Sequence, residues 1–310
     1  MKMTKRNLIS ITDLTKTEIE NLFKTAKVFK KDPFLKKSAL DSKSIALVFQ
    51  KPSNRTRVSF EVGMVDLGGH ATYLGPEELE LGVRESVKDV ARVLSRYLDG
   101  IVARTFKHKD LLDMAKFSSI PVINGLTDLL HPCQGLSDLF TIEEKFGKKK
   151  IKISFVGDGN NVLNSLLLGA GTLGRDIFVA TPKGHGPKAE ILKEAKKIAA
   201  ANKSLVELTN DPGECVRGAD VIYTDVWVSM GQEKEKENRI KTFRGFQVNK
   251  ELVSRAKKGV LVMHCLPAHR GEEITDEVID GESSIVYEQA ENRLHVQKAI
   301  LLMFLNQVQT

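Results

Sequence analysis

Short apolar runs recur along this chain at a spacing that few folds accommodate. They are Ile45–Phe49, Gly100–Arg104, Pro121–Asn124, Ile151–Gly157, Asp176–Ala180, Ser204–Leu208, Val221–Thr224, Val260–His264 and Ser284–Tyr287. Each has strand length and ends at a polar or Gly/Pro-containing turn. Helical patterns lie between them, including Glu85–Leu98, Leu136–Phe146, Asn161–Leu173 and Lys188–Asn202. This alternation predicts an α/β fold of two domains, each a mostly parallel β-sheet flanked by helices on both faces.

With 310 residues the chain is long for a single core and comfortable for two. A helix ending at Phe146-Gly-Lys-Lys-Lys150, followed by a fresh strand, places the boundary there. The predicted domains are therefore 1–146 and 147–289. A last helix, 290–310, has apolar residues at helical spacing and is expected to pack back on the first domain.

Composition removes several alternatives. Hydrophobic residues make up 41% and charged residues 28%, which fits a packed protein and not a disordered one. No apolar run approaches the ~20 residues that span a bilayer, so no membrane association is expected. The segment Met1–Ser10 does not read as a secretory signal. Cys133, Cys215 and Cys265 form neither a disulfide framework nor a zinc pattern, and a reducing, cytoplasmic setting is expected. The formal charge of +7 is spread among acids, as in Glu233-Lys-Glu-Lys-Glu-Asn-Arg239, and no nucleic-acid motif accompanies it.

In open α/β sheets, ligands sit beyond the carboxyl ends of the strands. The turn after the first strand, Ser53-Asn-Arg-Thr-Arg57, crowds hydroxyls and two guanidinium groups at the start of a helix. Ser53 alone would cap that helix. The arginines exceed what capping needs and match a phosphate held at a helix N-terminus. Val58, Val62 and Val65 follow at helical spacing and read as the core-facing side of that helix. Arg104 closes the next strand, and His131-Pro-Cys-Gln134 opens another helix with His131 and Gln134 on one face.

In the second half, Val156-Gly-Asp-Gly-Asn-Asn161 follows a strand and opens a helix. It lacks the third glycine of a dinucleotide fingerprint, since position 162 is Val, and its two amides suit a polar substrate better than a pyrophosphate. Asp225-Val-Trp-Val-Ser-Met-Gly-Gln232 follows another strand and reads as a movable loop. In His264-Cys-Leu-Pro267, adjacent side chains of an extended segment point to opposite sides, which favours positioning or substrate contact over a thiol nucleophile.

Taken in order, these motifs resemble the transcarbamoylases over roughly Ile11 to Leu301. The Ser-Met-Gly loop and the His-Cys-Leu-Pro run are similar to the branch that uses ornithine. The resemblance implies carbamoyl phosphate and L-ornithine as substrates, L-citrulline and phosphate as products, and a place in arginine biosynthesis. It also implies no cofactor, no metal, and a homotrimer or a multiple of trimers. It gives the first domain to carbamoyl phosphate and the second to ornithine. Carbamoyl phosphate would be bound by Ser53, Asn54, Arg55, Thr56, Arg104, His131, Gln134, Cys265, Leu266 and Arg293. Ornithine would be bound by Asn161, Asp225, Ser229 and Met230. Arg55, Arg104, His131 and Cys265 would be catalytic, with Arg57 helping the leaving phosphate. Asn54 stands where a threonine is common. Glu80 stands where relatives carry Gln or His, and it is left out of the site because a carboxylate repels phosphate.

Three rivals have distinct signatures. Putrescine or an acylated ornithine would be the acceptor in sister enzymes that are expected to replace the Ser-Met-Gly loop. An NAD-dependent dehydrogenase would use Gly157-x-Gly159. A non-catalytic carbamoyl phosphate sensor would keep the fold but lose part of the donor set.

Overall fold

A computed structural model describes residues 6–228 and 235–306. The chain forms two compact units, one made of 1–140 with 291–310 and the other of 141–290. In the first, β1 (Ser44–Phe49), β2 (His70–Leu74), β3 (Gly100–Arg104) and β4 (Val122–Leu126) make one sheet in the order β2-β1-β3-β4. In the second, β5 (Lys152–Val156), β6 (Asp176–Ala180), β7 (Val206–Thr209), β8 (Val221–Thr224) and β9 (Leu261–His264) make another, ordered β7-β6-β5-β8-β9. Every neighbouring pair is parallel. Central strands are buried along nearly their whole length, as parallel sheets covered by helices require.

Strand order determines where chemistry can sit. In each sheet the first strand of the chain is interior, and the connections leave it in opposite directions: β1 toward β2 and β3, β5 toward β6 and β8. The loops after β1 and β3, and those after β5 and β8, therefore diverge around a crevice at the carboxyl edge. These are the loops that carry Ser53–Arg57, Arg104, Asn161 and Asp225.

Three expectations from the sequence change. Ser284–Tyr287 is not a strand: Ser284 makes only an isolated bridge to Val262, and Val286 already begins the helix Val286–Leu305. Ile285 and Val286 are too short an apolar run to resist the helical pattern that follows. Conversely, β2 had no apolar signal, because it is an edge strand with exposed His70 and Thr72 and is defined by its pairing with β1. Finally, Val58, Val62 and Val65 do not face the core. They are exposed, while Thr56, Ser59, Phe60, Gly63 and Met64 of helix Asn54–Asp66 are buried.

That buried face is small for a reason. A Cβ at Gly63 would lie 3.2 Å from Lys298 Cγ, so the glycine lets the chain's last helix approach closely. Lys298 is itself fully buried; its Nζ donates to Asp66 Oδ2 at 2.8 Å and to the Pro33 carbonyl. The last helix thus returns to the first unit, carrying Arg293 with it. Removing one partner of such a buried pair typically costs about 3–5 kcal/mol. Lys298→Ala is expected to lose stability on that scale in denaturant unfolding of the isolated protein; a loss no larger than that of a surface lysine would contradict the assignment.

Candidate active site

At the carboxyl end of β1, Ser53 adopts extended backbone and caps the helix Asn54–Asp66, its Oγ accepting from the Thr56 amide at 3.3 Å. First-turn amides of a helix have no intrahelical acceptor, so they form a positive rim open to an anion. Asn54 is exposed on this turn and Arg55 half-buried. Thr56 is buried, and its Oγ1 accepts from Arg293 Nη2 at 3.1 Å. Arg293 Nη1 also donates to Gln134 Oε1, and Gln134 Nε2 donates to Asp138 Oδ1 at 2.8 Å. One guanidinium from the last helix thereby fixes two residues that lie far apart in sequence.

Arg104, at the end of β3, is buried, and its Nε has no hydrogen-bond partner among the described residues. Burial and the charges of Arg293 and Arg55 bring its guanidinium down to about 10. His131 is also buried. Burial, then Arg293, Arg104 and Arg55, hold its imidazole well below the usual histidine range, so the ring is neutral near pH 7. The structure thus brings together Thr56, Arg55, Arg104, His131, Gln134 and Arg293. Arg57 does not join them. It is exposed, its Nε lies 3.0 Å from Glu61 Oε1, and its guanidinium carbon lies 3.8 Å from the Tyr73 ring centroid. Its charge meets Glu61 and the Tyr73 ring there. Glu80 occupies a left-handed turn at φ 39° and lines an apolar cavity of about 270 Å³ with Phe49, Leu79, Leu81 and Phe106.

In the second unit, Asp225 is buried beyond β8. Its Oδ2 accepts from Asn160 Nδ2 at 2.7 Å, and its Oδ1 accepts from Cys265 Sγ at 2.9 Å. Asn160 also caps the helix Asn161–Leu173, its Oδ1 accepting from the amides of Val162 and Leu163. Asn161 is half-buried in the first turn. His264 is fully buried while Cys265 is half-buried, as the expected alternation requires. The Leu266 amide donates to His264 Nδ1 at 2.9 Å, so Nε2 carries the proton that meets Glu273 Oε1 at 3.0 Å. Leu266 sits at φ 58°, an unusual backbone for a bulky side chain. Burial pushes the thiols of Cys133 and Cys215 up to about 12, which leaves them inert. Ser229 and Met230 lie outside the described residues.

Gly159 has a packing explanation. A Cβ at Gly159 would lie 2.1 Å from the Gly186 carbonyl carbon, and the Gly159 amide donates to the His185 carbonyl. Gly159 therefore serves contact with the following loop, and no cofactor is needed to account for it.

Sequence reading gave no role to Asp158 or Arg239, and took Asn160 as one of two substrate-facing amides and not as the partner of Asp225. Asp158 and Arg239 form a buried pair at 2.7 Å, and Arg239 Nε donates to the Trp227 carbonyl at 2.6 Å. Their signal was present only in part: Asp158 stands beside the glycines already noticed, whereas Arg239 hides in a run of surface charges.

Comparison with known proteins shows the family of this chain. Residues 6–144 match the family described as aspartate/ornithine carbamoyltransferase, carbamoyl-P binding domain, and 149–304 match its Asp/Orn binding domain. The chain is 54% identical over 308 residues to a protein of Pyrococcus horikoshii named ornithine carbamoyltransferase, covering 98% of this chain and 97% of the other. It is also 54% identical, over 96% of both chains, to the Pyrococcus furiosus protein named ornithine carbamoyltransferase, anabolic. A solved structure titled ornithine carbamoyltransferase from Pyrococcus furiosus superposes with TM-score 0.95 at 52% identity, covering 100% of both chains.

Protonation of His131 should be visible in stability. The unfolded chain takes up a proton near the ordinary histidine value of about 6.5, while folded His131 resists it. Stability from this group is therefore level above that value and falls as pH drops below it. His131→Gln is expected to lose less stability than the unaltered protein between about pH 7 and 5.5, measured by thermal unfolding; parallel curves would contradict a neutral buried ring.

Proposed function

Because the chain belongs to the aspartate/ornithine carbamoyltransferase family, we infer that it transfers the carbamoyl group of carbamoyl phosphate to the side-chain amine of L-ornithine, giving L-citrulline and phosphate. The observation that carries this reading is the crowding of Arg55, Arg104 and Arg293 around buried His131. Like charges held this close are unfavourable unless an anion joins them. Carbamoyl phosphate supplies both a dianionic phosphate and a carbonyl whose oxygen gains charge during reaction.

The residues divide accordingly. Ser53, Asn54, Arg55 and Thr56 at the helix start receive the phosphate, through first-turn amides and charge-assisted donors. Arg104 and neutral His131 donate toward the carbonyl oxygen, with Gln134 and Arg293 completing the carbamoyl end. Cys265 and Leu266 serve near the reacting carbon. Asp225 takes the ornithine α-amino group, and Asn161, with Ser229 and Met230, orients the amino-acid end.

In the reaction the neutral amine attacks the carbonyl carbon. A C–N bond forms, the C–O bond to phosphate breaks, and phosphate leaves with the electron pair and takes up the proton that the amine loses. Donors aimed at the developing oxyanion contribute typically 10²–10³ in turnover each. The free amine has a reference value of about 10.4, and guanidinium groups near it favour the uncharged form. His131, being neutral, donates without adding a fourth positive charge.

Ornithine is favoured over other amines by the names of the relatives and by the Ser-Met-Gly sequence. The biosynthetic direction is supported by the relative named anabolic. Association of copies into a trimer, or a multiple of trimers, is supported by the exposed valines of helix Asn54–Asp66, which have no core to serve within one chain. A cytoplasmic setting is supported by three cysteines that form no disulfide among the described residues. Among the described residues no helix is long and apolar enough to cross a membrane.

Offering ornithine, putrescine and acetylornithine side by side should give citrulline formation well above carbamoylation of the other two; preference for putrescine would overturn the acceptor assignment. Arg55→Ala should lose activity by at least about 10²-fold with unfolding unchanged; near-normal turnover would remove Arg55 from the phosphate site.

A further inference from the structure

Arg239 is a charged side chain that the reaction does not use, yet it is buried in the second unit. It lies on the helix Lys236–Phe243, its guanidinium carbon 5.1 Å from the Phe243 ring centroid. Phe243 in turn stacks on Trp227 at 5.9 Å and meets His185 edge-on at 4.9 Å. Out of this aromatic seat the guanidinium reaches two loops. Nη2 lies 2.7 Å from Asp158 Oδ1, in the loop after β5. Nε donates to the Trp227 carbonyl at 2.6 Å, in the loop after β8.

Those two loops carry the residues assigned above to the acceptor. Asp158 is two residues before Asn160, which holds Asp225 Oδ2, and three before Asn161. Trp227 is two residues after Asp225. One planar fork therefore spans the topological switch point and links both sides of it. A guanidinium suits this task because its donors diverge in a rigid plane, whereas an ammonium offers a single point charge. Burial raises the Asp158 carboxyl and Arg239 opposes that, so loss of the arginine would leave a poorly solvated acid that must move or take a proton.

We propose that Arg239 is a positioning residue for acceptor specificity, setting the distance between Asn161 and Asp225 by clasping Asp158 and the Trp227 carbonyl together. Asp158 is the other half of the clasp. This rests on the acceptor reading given above. It assigns no contact with substrate to either residue. It separates acceptor binding from carbamoyl phosphate binding, because no part of the clasp belongs to the first unit.

Steady-state kinetics on the full chain test it, with Arg239→Gln, Arg239→Lys, Asp158→Asn and the double variant Asp158→Asn/Arg239→Gln. Displacement of a positioning group far from the chemistry costs up to about 10²-fold. The KM for ornithine should therefore rise roughly ten- to hundredfold in Arg239→Gln and Asp158→Asn, with the KM for carbamoyl phosphate within about twofold. Arg239→Lys should recover part of the loss. The double variant should be little worse than either single one, since both remove the same clasp. An unchanged ornithine KM, additive losses, or equal loss of both substrates would each overturn the proposal. Absence of citrulline formation by the unaltered protein would be a separate failure, of the acceptor reading itself.

Discussion

Three guanidinium groups around one buried imidazole form the constraint on which the first unit turns. Arg55 comes from a helix start, Arg104 from a strand end and Arg293 from the last helix. Burial first, and then the repulsion among these charges, lowers Arg104 to about 10 and keeps His131 neutral. A fold bears such crowding when an anion belongs there. The remaining features of the unit follow from holding these groups in place: Gly63 admits the last helix, Lys298 anchors it, and Gln134 and Thr56 receive Arg293.

The second unit solves a different problem with the same topology. It presents a carboxylate, Asp225, whose two oxygens already have donors in Asn160 and Cys265. A buried acid held on both sides is oriented before any substrate arrives, so less ordering remains to be done on binding. Behind Cys265, the His264–Glu273 pair and Gln289, which bridges the His264 amide and Tyr223 Oη, make the backbone of that segment rigid. An unusual conformation at Leu266 can persist because these neighbours determine it.

Much of this was legible in sequence because the fold places chemistry after strands, and strands after which polar residues cluster are easy to find. Asn161–Leu173 was bounded correctly because Asn160 caps it and Gly174 ends it. Residues whose roles depend on a partner distant in the chain were not legible. Nothing local distinguishes Arg239 from the lysines around it; its burial comes from Trp227 and Phe243. The exposed valines misled for a related reason, since periodicity shows that a helix has an apolar face but not which neighbour covers the other. Edge strand β2 escaped notice because backbone pairing, and not side-chain burial, defines it.

The position of the phosphate is decisive. Crystals soaked with carbamoyl phosphate should show its phosphoryl oxygens at the first-turn amides of the helix beginning at Asn54, with Arg55 in contact and the carbonyl oxygen facing Arg104 and His131. Phosphate density at any other position, with that helix start unliganded, would contradict it.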